Sequence, residues 1–135
     1  MATKKIAETN YSVTIKTVSK ELSAKERIML KDVSNANKLD ALTQAESHID
    51  INVDCYAELE IHNEKSDDKD YTNYLVVGTD GEKYVTGSPS FWTAFKGIID
   101  EVEEAGLKAD EWTLRVYRKP SKNREGKDFI TCSMV

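Results

Sequence analysis

The 135-residue sequence contains no apolar run approaching the length of a membrane-spanning helix, so no such helix is expected. Its opening, MATKKIAETN, lacks the apolar core of a secretory signal. A cytoplasmic protein without membrane contact is the expectation. Cysteine is nearly absent. Cys55 and Cys132 are too few for a disulfide framework, and each falls within a strand pattern, so buried free thiols are expected. Histidine is equally scarce. His48 and His62 bracket one strand, and fourteen residues of extended chain hold them roughly 45 Å apart at about 3.3 Å each. Cys55 faces the opposite side of that strand, so no metal site follows. Asp67, Asp68 and Asp70 lack the fixed oxygen spacing of a calcium loop. There is no phosphate-binding glycine loop, no GxSxG elbow and no HExxH pair. Asp54, Glu58 and Glu60 form a row with no base or nucleophile beside them. No catalytic residue, metal or cofactor is expected, and the protein is not read as an enzyme.

A basic coat is also missing. The formal net charge is −5, but it is unevenly placed. Residues 1–45 hold eight Lys/Arg against five Asp/Glu, residues 46–110 five against sixteen, and residues 111–135 six against three. An acidic middle separates two mildly basic ends. A negative total is compatible with nucleic-acid binding when the contact face is locally positive.

What is present centres on Glu111–Val135. At period two, Trp112, Leu114 and Val116 share one face, with Thr113, Arg115, Tyr117 and Lys119 on the other. The second row interleaves cations with an aromatic ring, a surface that can hold phosphates and stack bases. Pro120 ends the strand because it has no N–H for a ladder. Ser121, Lys122, Asn123, Arg124 and Gly126 form a basic hairpin loop, and Lys127–Met134 returns as a second strand. Six cations lie within residues 115–127 against one acid, Glu125.

Upstream, Tyr11–Val18 alternates as a strand. Ser19–Val33 carries a capping-box pattern at Ser23 and Glu26, while Arg27-Ile28-Met29-Leu30-Lys31 alternates, and it is read as strand. Asn35–Leu42 reads as a short helix with Leu39 and Leu42 inward. His48–His62 is the clearest strand, with seven apolar residues from Ile49 to Ile61 in strict alternation. A strand that long is expected to bend and serve two sheets. The acidic loop Asn63–Asp70, the strand Tyr71–Val77, an Asp80-Gly81 turn and the strand Glu82–Thr86 complete a meander. Ser88 and Pro89 then open a helix with Phe91, Phe95, Ile98 and Val102 on one face, closed by Gly106.

From residue 46 the order is three strands, a helix and two strands. This is the order of an OB-fold, a five-stranded Greek-key β-barrel with its helix between strands three and four. The expectation is one mainly β, OB-fold-like domain over 1–135, with residues 1–45 an N-terminal extension and 46–135 the barrel. Candidate nucleic-acid contacts are Arg115, Tyr117, Arg118, Lys119, Lys122, Arg124 and Lys127, with Tyr84, Tyr74 and Trp92 as rings for stacking. Strand alternation leaves open which of Tyr71 and Tyr74 is exposed, while Tyr84, beside Lys83 and on one face with Glu82 and Thr86, is expected to face solvent. The acidic first loop should repel phosphate.

The segments KERIMLKD, IHNEKSDDKDY, DGEKYVTGSPSFWTAF and YRKPSKNREGKDFITCS resemble small single-stranded DNA-binding proteins of phages and mobile elements of Gram-positive bacteria. The likeness runs over residues 20–135. It implies an OB-fold that coats single strands during replication, recombination or DNA transfer, without sequence preference or catalysis. The basic hairpin and the strand aromatics are its implied contacts. RNA remains a second ligand of the same kind, since no residue marks a 2′-hydroxyl contact. The N-terminal arm is a candidate for adding to a neighbour's sheet edge and forming a homo-oligomer. The alternative function is a protein-interaction or nucleic-acid-mimic module acting through the acidic middle.

Overall fold

The computed structural model describes residues 10–123 and 125–135. In chain order these form β1 (Tyr11–Val18), α1 (Ala24–Lys31), β2 (Asn37–Lys38), α2 (Leu39–Ala45), β3 (Ile49–Ile51), β4 (Val53–Asn63), β5 (Asp70–Gly78), β6 (Lys83–Thr86), α3 (Pro89–Ala105), a 3-10 turn (Ala109–Glu111), β7 (Leu114–Pro120) and β8 (Asp128–Met134). Strand outweighs helix, 41% against 28%, which makes the chain mainly β. A five-stranded sheet runs β1-β4-β5-β6-β2, and a three-stranded sheet runs β3-β7-β8. Neither closes into a barrel. Among the described residues, no helix is long and apolar enough to cross a membrane.

The long alternating stretch is where the two sheets meet. β3 pairs antiparallel with β7, whereas β4 pairs antiparallel with β1 and β5. Asn52 alone separates them. Its Nδ2 donates to the Trp112 carbonyl (2.9 Å) and to Thr113 Oγ1 (3.1 Å), while its own carbonyl accepts from the Thr79 N–H (2.8 Å). A register shift follows at once between Val53 and Cys55, the added twist that lets one strand turn between sheets.

The inward row of that strand is consequently divided between two cores. Ile51 and Val53 join Phe91, Trp92, Phe95, Leu114 and Val116 around α3. Ala57, Leu59 and Ile61 join Leu30, Leu75 and Val85 under α1. Tyr56 and Tyr74, on the other face of the larger sheet, pack against the α3 core. The larger sheet is thus covered on both faces.

α3 follows the expected chemistry. Ser88 Oγ accepts from the Phe91 N–H, Pro89 occupies the first turn, and Gly106 takes the left-handed conformation (φ 68°) that closes the helix. Its buried residues are Phe91, Trp92, Phe95, Ile99 and Val102, and Ile98, half-buried, packs against the same core.

Two sequence expectations are corrected. Ser19–Val33 is not a strand, because residues 24–31 form α1. The complete capping box between Ser23 and Glu26 opens it, and the Lys83 ammonium closes it by donating to the Met29 and Asp32 carbonyls. Only Leu30 of this helix is buried, and Ile28 and Met29 are exposed, so no apolar stripe of helical period exists to be read. The helix expected over 35–42 starts later, at Leu39, because Asn37 and Lys38 pair in parallel with Tyr84 and Val85. Leu39 and Thr43 are its buried residues, and Leu42 is half-buried.

α2 joins the two sheets where no strand pair does. Thr86 Oγ1 on β6 donates to Asp40 Oδ1 (2.8 Å). From β7, Arg118 donates to Thr43 Oγ1 (3.0 Å) and to the Asp40 carbonyl (3.1 Å).

Candidate nucleic-acid interface

The antiparallel register of β3, β7 and β8 decides which side chains share a surface, because directly opposite residues point the same way. Asp50, Arg115 and Ser133 lie opposite one another, as do Tyr117 and Thr131, and Lys119 and Phe129. All occupy the outer face of the three-stranded sheet. Leu114, Val116, Ile130 and Cys132 occupy the inner face and are buried. Burial pushes the Cys132 thiol up to about 12 and the Cys55 thiol upward as well, and both cysteines are free.

Along this outer face the groups become progressively less occupied toward the hairpin tip. Arg115 holds Asp50 with two parallel bonds, Nε to Oδ1 at 2.8 Å and Nη2 to Oδ2 at 3.0 Å. This bidentate pair lowers the Asp50 carboxyl and raises the guanidinium. Tyr117 shares a 2.6 Å hydroxyl contact with Ser133. Beyond them Lys119 is exposed, and Phe129 opposite it is 36% exposed. Lys122 and Lys127 flank the turn and are exposed too. Among the described residues none of these three lysines forms an ion pair. Arg124, expected in the same cluster, lies outside the described residues.

Arg118 belongs to the opposite row. Its side chain is only 18% exposed and adds a 2.8 Å ion pair with Asp128 to its bonds with α2. It is placed to brace the fold.

The three rings named with these cations lie elsewhere. Trp92 is 9% exposed and stacks between Tyr74 (4.9 Å, 16°) and Phe95 (5.0 Å, 27°). Tyr74 is half-buried in that stack. Tyr84 packs against the same core. Burial, then Asp80 and Glu82, raise its phenol, and it borders a polar notch with Asp50 and Asn52. The structure therefore groups Arg115, Tyr117, Lys119, Lys122 and Lys127 on one hairpin, packs Tyr74 and Trp92 into the α3 core, and sets Tyr84 in the notch that borders Asp50, the partner of Arg115. Beside Tyr117 the basic hairpin carries a second aromatic, Phe129, which was not among the sequence candidates. Its signal was alternation: it stands in the polar row with Thr131 and Ser133, out of step with Ile130 and Cys132.

The β4–β5 hairpin has the opposite character. His62 lies between Asp70 Oδ1, 2.8 Å from Nδ1, and Glu64 Oε2, 2.6 Å from Nε2. Lys69 adds an ion pair with Glu64 at 3.8 Å. Both ring nitrogens face carboxylates, so only the doubly protonated ring satisfies both. Asp70 first and Glu64 second raise its pKa accordingly.

Compared with family models, with curated proteins and with solved structures, the chain matches none.

Proposed function

We propose that this chain binds single-stranded DNA without sequence preference, protecting it during replication, recombination or transfer of a phage or mobile element, and that it performs no catalysis. The observation that carries this reading is the β7–β8 hairpin. Lys119, Lys122 and Lys127 lie exposed around an exposed Phe129, with no ion pair to a described residue. Cations of this kind neutralise phosphates and release counterions, and a ring among them offers any base a stacking face.

The fold reading supports it. A bent first strand shared by two sheets, a meander, a helix and a final hairpin follow the OB order. The departure is at the seam. β6 pairs with β2 instead of with the last strand, and α2 spans the gap. We read this as an OB-like arrangement with its closing strand pair replaced by a helix.

The protein-interaction reading draws less support from the same surface. Asp54 and Glu60 on β4 are paired with Lys20 and Lys16, and Glu58 accepts a bond from Thr17. These acids have internal partners already.

The test is an anisotropy titration of dye-labelled oligo-dT at several salt concentrations, with duplex DNA as control. Trp92 and Trp112 are both buried, so a label on the DNA reports better than intrinsic tryptophan. Saturable binding of the single strand is expected, weakening with salt at about −0.7 per phosphate contacted. Phe129→Ala should weaken it by about 1–3 kcal/mol. Equal affinity for duplex, or no binding at low salt, would remove the proposal.

A further inference from the structure

A second surface combines aromatic rings, amides and cations, and it lies away from the hairpin just described. A groove of about 500 Å³ opens between the end of the β1-β4-β5 face and the connection from α1 to β2. That volume is in the range of small-ligand sites. Tyr11, 46% exposed, and Tyr71, half-buried, supply its two rings. Tyr11, Tyr71 and Asp32 all line the groove, and the Tyr11 phenol is raised by burial, then by Tyr71 and Asp32. Asn63 and Asn73 contribute amides, groups that can both donate to and accept from a base edge.

The cations come from the other wall. Lys31 ends α1 and Lys38 immediately precedes α2. Both are exposed, and neither forms an ion pair among the described residues. The one carboxylate lining the groove, Asp32, is turned to its own chain. Its Oδ1 accepts from the Ser34 hydroxyl (2.6 Å) and N–H (3.1 Å).

The geometry points to this groove as a nucleotide site, with a base against Tyr11 and Tyr71 and its phosphate on Lys31 and Lys38. Rings provide stacking, amides tolerate any base edge, and paired lysines neutralise phosphate. The inference rests on the single-strand reading and extends it, because α2 lies between the groove and the basic hairpin. Lys38 stands at its start, while Arg118, from the inward row of β7, joins its Asp40 carbonyl and Thr43 to Asp128 at the loop end of β8. A strand leaving that hairpin can cross α2 into the groove.

The experiment compares the full-length wild type with Lys31→Ala/Lys38→Ala and with Tyr71→Leu. Ligands are oligo-dT of about 6 and about 20 nucleotides, a span that brackets one and several contact sites. Thymidine monophosphate serves as the free-nucleotide arm. The two lysines are exposed, so the double variant should fold even if Tyr71→Leu does not. The double variant is expected to bind the longer oligomer about tenfold more weakly, with a salt slope shallower by about 1.4. Tyr71→Leu should lower affinity about tenfold with the slope unchanged. Wild-type affinity and slope in the double variant would overturn the groove while leaving the hairpin proposal standing. Should wild type ignore oligo-dT while the monophosphate shifts the Asn63 and Asn73 side-chain amide signals, the strand reading fails. The groove then stands as a site for a free nucleotide. Silence from both ligands would overturn both.

Discussion

The two long hairpins of this protein are charged oppositely, and they differ as well in which of their cations are already paired. In the β4–β5 hairpin the charges beside the strand ends are paired, His62 between Asp70 and Glu64 and Lys69 with Glu64, while Lys65, Asp67 and Asp68 at the loop form no ion pair among the described residues. In the β7–β8 hairpin Arg115 pairs with Asp50 and Arg118 with Asp128, and Lys119, Lys122 and Lys127 form no ion pair among the described residues. An ion pair already made must be broken before either member can meet a ligand. Exposed charges without partners carry no such cost. The potential to hold phosphate is therefore read from unmatched cations, which a count of basic residues does not reveal.

The largest effect that would break this contrast comes from removing the unmatched charges. Lys119→Ala/Lys122→Ala/Lys127→Ala should weaken oligo-dT binding by about two orders of magnitude and make the salt slope shallower by about 2, measured by anisotropy. Asn at Asp67 and Asp68 should change affinity less than about twofold under the same conditions, since these groups belong to the other hairpin and salt screens exposed charges.

The two arginines of β7 sharpen the contrast within one strand. Arg118→Ala removes the tie between β7 and α2 and leaves Thr43 without its donor. A loss of about 1–3 kcal/mol is expected, read as a lower Tm. Arg115→Ala breaks only a partly exposed pair with Asp50 and should cost less than about 1 kcal/mol. A larger loss at Arg115 than at Arg118 would reverse the assignment of bracing and surface roles.

The smallest effect is pH dependence at the acidic hairpin. The folded His62 pKa is raised above 6.5 by Asp70 and Glu64. Its contribution to stability is fully present below 6.5 and is lost as pH rises through the folded value. His62→Gln should flatten that part of the Tm-against-pH curve, and an unchanged curve would show the clamp to be idle.

Much of the architecture was legible because it is written in alternation. Seven apolar residues in strict period two marked the long strand, and its length alone required a bend. The site of the bend was not legible, since it depends on Asn52 reaching Trp112 and Thr113, sixty and sixty-one residues away. α1 was misread because Ile28, Met29 and Leu30 are consecutive, and only Leu30 finds the core. The capping box was the truer signal there. For the candidate site, cation spacing located the hairpin, but charge hid the role of Arg118. By alternation it belongs to the inward row with Leu114 and Val116. The tyrosines were ambiguous for a related reason: the larger sheet is covered on both faces, so alternation separates no wet side from a dry one around Tyr74. Phe129 shows the converse, an aromatic whose place in a polar row marked it as exposed.

The most direct measurement is a backbone amide NMR titration of the full chain with oligo-dT, read at the two hairpins in one spectrum. Saturable shifts concentrated over Lys119–Phe129, with Asn63–Asp70 nearly still, are expected. Shifts centred on the acidic hairpin, or none at either, would contradict the claim that unmatched lysines around Phe129 form the binding surface.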